Sequence, residues 1–242
     1  MLKNLRCLCV LVGLLATGAV MAQEAAIRKN LAERLPNFPK IDEVTRTPVP
    51  GLWEVRIGND VLYSDEQGNF LIQGQIIDTK TRTNLTEARL DKLTAIDFAS
   101  LPLKDAIVWK QGTGERKLVQ FSDPNCPYCK RFERDLTNVK DVTVYTFLYP
   151  ILGQDSSEKA RAIWCNKEPS QTWRAWMVDG KALPRVMGNC DASAIERNVE
   201  LGRKHRVNGT PAIVFANGKR VGGAINAEQV ENLLAAAARE GK

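Results

Sequence analysis

The pattern of apolar residues near the start of the chain predicts a helix. Ile27, Leu31 and Leu35 recur every four residues within residues 24–35, a spacing that places all three on one face of a helix. Pro36 follows directly, and proline cannot continue a helix because it lacks the backbone N–H and its ring clashes with the preceding turn. We therefore expect a helix over residues 24–35.

Four short segments of strand character come after this helix. They are separated by Gly, Pro, Asn and Asp residues typical of turns, and they cover residues 44–49, 52–57, 61–63 and 70–77. Strands so close together predict an antiparallel sheet, and with the helix they make an α+β domain over residues 23–82. A unit of this size buries only about 60% of the surface that its unfolded chain exposes, which favours association with a second copy.

A second helix is predicted after a polar stretch. Asn84 and Glu87 have the spacing of a capping box, and four apolar residues continue the helical pattern: Leu85, Leu90, Leu93 and Ile96. This helix should end near Phe98, before Pro102. We interpret residues 83–103 as a linker helix between two domains. The same helix could equally be the first element of the second domain.

The remainder of the chain alternates strands and helices, which is typical of an α/β domain. The predicted strands cover residues 118–121, 142–147, 212–215 and 219–221, and Asn217-Gly218 is the hairpin signal before the last of them. Helices are expected from about Pro127 onward, in three segments within residues 155–206, and over residues 227–239. The second domain therefore covers residues 104–242 and carries a helical insertion.

The composition is that of an ordinary folded protein. Of the 242 residues, 44% are hydrophobic and 26% are charged, which excludes a collagen-like, coiled-coil or wholly disordered chain. Residues 1–22 have the features of an export signal: Lys3 and Arg6, an uncharged apolar run over residues 8–20, and a cleavage site near Ala22. The run is shorter than the roughly 20 residues that span a membrane, so a retained anchor is the less favoured interpretation.

Removal of this signal changes the charge of the chain. The full sequence has 34 Lys and Arg against 28 Asp and Glu, a net charge of +6. Without Lys3 and Arg6, 32 basic against 28 acidic residues leave +4. No cluster of basic residues resembles a nucleic-acid-binding stripe, so no nucleic-acid partner is expected.

Cysteine usage points to thiol chemistry. Two of the six cysteines lie in the export signal, and an even number, Cys126, Cys129, Cys165 and Cys190, remains, which suggests disulfides in an exported protein. Cys126 and Cys129 stand at the predicted start of a helix, where free N–H groups and the helix dipole stabilise a thiolate. First cysteines of such pairs have pKa values of about 3.5–7. Cys126 is therefore expected to be the exposed, attacking sulfur, and Cys129 the partner that resolves a mixed disulfide.

Three other interpretations of the first cysteine pair remain open. A Cys-X-X-Cys can be half of a zinc site, although Cys165 and Cys190 form no second close pair. A cysteine hydrolase would need a basic partner, and His205 is the single histidine of the chain. A purely structural 126–129 disulfide would close too small a loop to stabilise the fold much. No metal and no cofactor are predicted.

The other two cysteines are interpreted as a structural disulfide. Cys165 and Cys190 lie 25 residues apart in the helical region. Closing a loop of that size stabilises a folded chain by about 3.5 kcal/mol in the chain-entropy model. The alternative is a second redox-active pair.

Two segments resemble the thioredoxin superfamily. Residues 121–130, Phe-Ser-Asp-Pro-Asn-Cys-Pro-Tyr-Cys-Lys, are similar to its active-site segment, and residues 207–212, Val-Asn-Gly-Thr-Pro-Ala, are similar to the segment that carries its cis-proline. The Cys-X-X-Cys alone is shared by many thiol oxidoreductases. Together with Thr210-Pro211, the second cysteine pair and the small N-terminal domain, it resembles the DsbC/DsbG family of bacterial periplasmic thiol:disulfide interchange proteins.

This resemblance implies a fold and an assembly. The second domain would be thioredoxin-like, with its helical insertion at about residues 155–206. The N-terminal domain would pair with its copy to make a V-shaped homodimer in the periplasm, and the cleft of the dimer would add chaperone activity. A membrane electron donor of the DsbD type would keep the active cysteines reduced.

The resemblance also implies roles for six residues. Cys126 would attack wrong disulfides in misfolded exported proteins, and Cys129 would release the substrate or let it reshuffle. The substrate-binding residues would be Thr210 and Pro211, and the permanent structural disulfide would be Cys165–Cys190.

One departure concerns the two residues between the active cysteines. Pro127-Tyr128 resembles the DsbG and glutaredoxin pattern, whereas Gly-Tyr is the commoner DsbC form, and these residues tune the redox potential. A disulfide isomerase is the leading hypothesis. The alternatives are a DsbG-like reductase of single oxidised cysteines and a holdase chaperone with an incidental redox pair. A monomeric DsbA-like oxidase is disfavoured because it would not need the N-terminal domain.

Overall fold

The computed structural model describes residues 21–185 and 188–240. The chain divides into two compact units between Thr94 and Ala95, a point inside the predicted linker over residues 83–103. Residues 1–20 of the predicted export signal lie outside the described residues. No helix in the described part of the chain is long and apolar enough to cross a membrane.

The N-terminal unit is a helix packed on an antiparallel sheet, which confirms the predicted α+β architecture. Helix α1 covers residues 21–34, and the strands pair in chain order: β1 Glu43–Arg46, β2 Leu52–Ile57, β3 Asp60–Asp65 and β4 Leu71–Ile72. The buried core contains Ile27, Leu31, Ile41, Val44, Trp53 and Val55. The predicted end is one residue too late, because Leu35 lies just beyond the helix and is 37% exposed, and the helix already includes residues 21–23, before the predicted start.

The predicted strand over residues 70–77 is wrong. Only Leu71–Ile72 pair with β3, whereas β5, Ile77–Asp78, pairs with β6, Thr83–Asn84, in a separate hairpin. The run has the composition of a strand, but the backbone of Ile76 bonds elsewhere: its N–H donates to Oγ1 of Thr86 at 2.8 Å, and its carbonyl oxygen accepts the N–H of Leu85 at 2.9 Å. Consequently Phe70 is 69% exposed and Ile77 is 57% exposed.

Helix α2, Leu85–Thr94, begins as predicted and ends earlier. Its start is capped by Asn84, whose Oδ1 accepts the backbone N–H of Glu87 at 3.1 Å. The predicted end, four residues later, is wrong. The N–H of Ile96 donates to the carbonyl oxygen of Gly218 at 3.1 Å and so leaves the helical pattern. Ile96 is buried in the core of the C-terminal unit.

The C-terminal unit is built on a five-stranded sheet. In chain order its strands are β7 Ile107–Gln111, β8 Arg116–Ser122, β9 Val142–Leu148, β10 Ala212–Phe215 and β11 Arg220–Gly222. Their order in the sheet is β11-β10-β8-β9-β7, with β8 and β9 parallel and the other neighbours antiparallel. The sequence pattern does not predict β7, because the exposed Val108 between two buried residues hides the alternation.

Helices bury both faces of this sheet. On one face, α3 (Pro127–Leu136) and α7 (Ala227–Glu240) contribute Phe132 and Leu234 to a core with Leu118. The other face is buried around Phe121 and Phe147. The segment between β9 and β10 contains the three expected helices, α4 Gln154–Trp164, α5 Pro169–Met177 and α6 Ser193–Lys204.

Candidate active site

The two segments singled out in the sequence meet at one end of the strands of the five-stranded sheet. The parallel strands β8 and β9 have their carboxyl ends there, and Cys126 follows β8 after a short turn. Strand β10 runs antiparallel to β8, with Ala212 opposite Phe121, so Thr210 and Pro211, just before β10, lie at the same end. The Cys126 thiol donates to the carbonyl oxygen of Thr210 at 3.2 Å.

A buried carboxylate organises the turn before the first active cysteine. Asp123 is fully buried and accepts four hydrogen bonds. Its Oδ1 accepts from the Asn125 N–H and the Ser156 hydroxyl, both at 2.8 Å. Its Oδ2 accepts from the N–H groups of Ile151 and Leu152 at 2.8 and 3.0 Å. Sequence reasoning does not single out this residue, although an Asp-Pro turn directly before Cys-X-X-Cys is a signal that could have found it.

Cys126 is the N-cap of α3, as its place before Pro127 predicts. Its Sγ accepts the N–H of Cys129 at 3.4 Å, and both thiols are free. The expectation of an exposed attacking sulfur is wrong for this conformation, because Cys126 is only 4% exposed. It packs in one apolar cluster with Trp173 and Leu148. Cys129, one turn further into the helix, is fully buried.

The two active-site thiols have opposite acidities. The pKa of Cys126 falls from 9.0 to about 5, chiefly because the Cys129 side chain hydrogen-bonds to it, with further hydrogen bonds from the Thr210 side chain and from the N–H groups of Cys129 and Tyr128. Burial opposes this shift. Burial raises the pKa of the Cys129 thiol above its ordinary value. Cys126 is therefore largely a thiolate at neutral pH, whereas Cys129 keeps its proton.

The ultraviolet absorbance of thiolate should report this difference. In the reduced protein we expect an absorbance step with a midpoint near pH 5. Because folding lowers this pKa from 9.0, the unfolding free energy of the reduced protein should rise as the pH increases from about 5 to about 9, and this gain should be lost again as the pH falls from 9 to about 5. Cys129→Ala should raise the midpoint, since it removes the largest contribution. A wild-type midpoint near 9 would contradict the assignment.

A second buried carboxyl group lies behind the cysteines. Glu133 is fully buried one helical turn after Cys129. Its Oε1 accepts from Nε1 of Trp173 at 2.6 Å and from Nε2 of Gln120 at 2.5 Å, and burial raises its pKa. The sequence signal that could have found it is a charged residue on the apolar face of α3, next to Phe132.

The other cysteine pair forms a disulfide. Cys165, at the end of α4, is bonded to Cys190, in the segment before α6. Neither sulfur is therefore free to bind zinc. In residues 21–185 and 188–240, no group of three or more His, Cys, Asp and Glu side chains is placed to hold a metal. The Thr210-Pro211 peptide bond is cis.

The single histidine is not the basic partner of the reactive cysteine. His205 caps the C-terminal end of α6, and its pKa is lowered by burial and by two neighbouring cations. The hydrogen bonds described for the Cys126 sulfur are to Thr210 and Cys129. A cysteine–histidine hydrolase is therefore not supported.

Both units match known domain families. Residues 103–238 match the model of a thioredoxin-like domain, and residues 18–87 match the model of the disulfide bond isomerase protein N-terminal domain. A free Cys-X-X-Cys at the start of a helix, beside a cis-proline, defines the class: the protein is a thioredoxin-like thiol–disulfide oxidoreductase.

Similar proteins identify the family within this class. The chain is 44% identical over 212 residues to the probable thiol:disulfide interchange protein DsbC of Bordetella parapertussis. The aligned region covers 88% of this chain and 74% of that protein. The chain is 30% identical over 214 residues to the DsbC of Escherichia coli, with 86% and 85% covered. A crystal structure of a disulfide interchange protein from Neisseria gonorrhoeae, 37% identical, covers 57% of this chain and 98% of that one with a TM-score of 0.54. The chain belongs to the DsbC family of thiol:disulfide interchange proteins.

Proposed function

We propose that this protein is a periplasmic disulfide isomerase whose attacking group is the Cys126 thiolate. The observation that carries the proposal is the contrast in acidity, with the pKa of Cys126 lowered to about 5 and that of Cys129 raised. The thiolate is the nucleophile in thiol–disulfide exchange. Of these two thiols, Cys126 is therefore the one that begins the reaction at neutral pH, and Cys129 stays protonated until the mixed disulfide is resolved.

The reaction begins with attack of Cys126 on a non-native disulfide of an exported protein. The Cys126 sulfur forms a mixed disulfide with one substrate sulfur, and the other substrate sulfur leaves as a thiolate. That thiolate attacks a different disulfide of the same substrate. The last exchange returns Cys126 as a thiolate, so the isomerisation consumes no electrons.

Cys129 releases Cys126 from the mixed disulfide when the substrate does not rearrange. Its thiol loses a proton and attacks the Cys126 sulfur of the mixed disulfide. The substrate leaves with its disulfide reduced, and Cys126 and Cys129 become the oxidised pair. A membrane electron donor of the DsbD type would then return two electrons. The Cys165–Cys190 disulfide takes no part in this cycle and serves as a permanent structural link.

Thr210 and Pro211 are the proposed contacts for the substrate backbone. The carbonyl oxygen of Thr210 lies 3.2 Å from the Cys126 sulfur, so a chain that pairs with this segment in extended form brings its own sulfur to Cys126. Exposed apolar side chains lie close to Cys126 in the chain or in its turn. Tyr128, two residues after Cys126, is 64% exposed, and Leu152, whose N–H donates to Asp123, is 56% exposed. They suit an unfolded substrate, whose apolar residues are accessible.

The N-terminal unit is the proposed site of homodimerisation. Strand β4 is the last strand of its sheet, and Phe70, Leu71 and Ile72 are 69%, 38% and 46% exposed. An apolar edge strand with free backbone groups is a site at which a second chain pairs. The match of residues 18–87 to a disulfide bond isomerase N-terminal domain supports this assignment. Chaperone activity is proposed as a property of the dimer.

Charged residues on this edge should separate the two copies. We expect the double variant Leu71→Asp, Ile72→Asp to sediment with the mass of a monomer, because two carboxylates on the edge repel their counterparts and prefer water. The matched control is Val108→Asp, a 43% exposed residue on the edge strand β7 of the other unit, which should leave the mass unchanged. A monomeric wild-type protein would overturn the dimer.

The proposed activity is tested by comparing two substrates. An isomerase should restore the activity of scrambled ribonuclease faster than it reduces a protein that carries one sulfenylated cysteine. The reverse preference would favour the DsbG-like reductase suggested by Pro127-Tyr128. Suppression of aggregation without either reaction would favour a holdase. Each outcome is measured with the reduced, full-length mature chain.

A further inference from the structure

Two lysines share one indole ring beside the reactive cysteine. The Nζ of Lys130 is 4.2 Å from the centre of the Trp176 ring, and the Nζ of Lys159 is 4.9 Å from it. Ammonium groups are attracted to the faces of aromatic rings, and tryptophan is the strongest of these partners. Trp176 thus holds two positive charges close together, and we name these three residues the cationic cluster.

The cationic cluster is attached to the chain around Cys126. Nε1 of Trp176 donates to the carbonyl oxygen of Pro124 at 2.6 Å, and Nζ of Lys159 donates to Oδ1 of Asn125 at 2.8 Å. The N–H of Lys130 donates to the carbonyl oxygen of Cys126 at 3.1 Å. Residues four apart at the start of a helix share a face. The cluster is therefore held by the two residues that precede Cys126 and by the first turn of the helix that Cys126 caps.

The charges of the cluster are only partly balanced. Asp155 forms an ion pair with Lys159. Within residues 21–185 and 188–240, no carboxylate forms an ion pair with Lys130. Burial, Lys159 and Arg134 all lower the pKa of Lys130, which shows that its surroundings disfavour the added positive charge. An anion brought to Lys130 would relieve this imbalance.

We infer that the cationic cluster binds a carboxylate of the polypeptide substrate, and so favours cysteines that have Asp or Glu close by in the sequence. This inference rests on the proposed attack by Cys126 and names the class of substrate that reacts fastest. Charge complementarity of this kind acts mainly on the rate of association.

Peptide disulfides of matched sequence test the inference. Three peptides differ only in the residue next to the cysteine, which is Glu, Gln or Lys, and each reacts with the reduced full-length protein at low ionic strength. We expect the Glu peptide to react about threefold faster than the Gln peptide, and the Lys peptide to react more slowly than both. The differences should shrink in high salt, because salt screens charges that face solvent.

Two variants assign the effect to the cluster. Lys130→Gln should bring the Glu-to-Gln rate ratio close to one. Lys117→Gln removes the same charge from an exposed position at the start of β8, the end of that strand remote from Cys126, and should keep the ratio. The pKa of the Cys126 thiol is measured in each variant.

The outcomes distinguish binding of a substrate carboxylate by the cluster from an effect of Lys130 on the Cys126 thiolate. Equal rates for the three peptides with the wild-type protein would overturn the inference and leave the proposed function intact. An unchanged ratio in Lys130→Gln would overturn it as well. An equal slowing of all three peptides together with a raised Cys126 pKa would mean that Lys130 acts on the thiolate, which also overturns it. Failure of every peptide to react would instead overturn the proposed function.

Discussion

Cys126→Ala is expected to abolish the reactivation of scrambled ribonuclease, leaving a rate within about twofold of the spontaneous one. The variant removes the thiol whose pKa is lowered to about 5. Cys129 cannot replace it, because burial raises the pKa of that thiol and keeps it protonated. The measurement is the recovery of ribonuclease activity with time, at equal concentrations of wild-type and variant protein.

Cys129→Ala is the matched control for this experiment. It keeps the attacking sulfur of Cys126, with a raised pKa, and removes the group that resolves the mixed disulfide, so covalent complexes with the substrate should accumulate on a non-reducing gel. Full activity of Cys126→Ala would refute the redox mechanism. Suppression of aggregation that survives Cys126→Ala would show that any chaperone activity is independent of the thiols.

Asp123→Ala is expected to lower the unfolding free energy by roughly 3–5 kcal/mol, the largest loss of stability among the variants proposed for this protein. Asp123 is fully buried, and its carboxylate accepts hydrogen bonds from two backbone N–H groups in the segment after β9, one in its own turn and one hydroxyl of α4. Alanine would leave these four donors without their acceptor. A urea titration followed by near-ultraviolet circular dichroism measures the change in unfolding free energy.

Asp155→Ala provides the comparison for Asp123→Ala. The Asp155 side chain is 66% exposed, although it contacts Asn125 and Lys159 in the same neighbourhood. Exposed ion pairs contribute about 0–1 kcal/mol, so this variant should unfold near the wild-type urea concentration. If Asp123→Ala also did so, the carboxylate would not be what holds the turn before Cys126.

Much of the catalytic unit follows from local pattern. Strands β8 and β9 are short apolar runs between turns, and the start of α3 is marked by Pro127 directly after a capping residue. Asn217-Gly218 specifies its hairpin because Gly218 adopts a φ of +87°, which favours glycine. These elements are predictable because the residues that specify them are neighbours in the chain.

The wrong predictions of secondary structure occur where a contact with a distant part of the chain overrides the local preference for strand or helix. Residues 70–77 have the composition of a strand, yet pairing with β3 stops at Ile72, and the backbone of Ile76 bonds to Leu85 and Thr86 instead. Helix α2 ends at Thr94 because Ile96 finds its acceptor on Gly218, far along the chain. Propensity describes what a segment can form, and the available partners decide what it does form.

The sequence by itself determined the chemistry of this protein: a Cys-X-X-Cys at a helix start, a Thr-Pro segment, a second cysteine pair and a separate N-terminal α+β domain. The tertiary structure alone decided how deeply Cys126 is buried, which carbonyl its thiol meets, and which carboxylate holds its turn. Thr210 lies 84 residues from Cys126, and the donors to Asp123 beyond its own turn lie 28 to 33 residues away. Contacts over such distances form only when the sheet brings the segments together, so no local pattern records them.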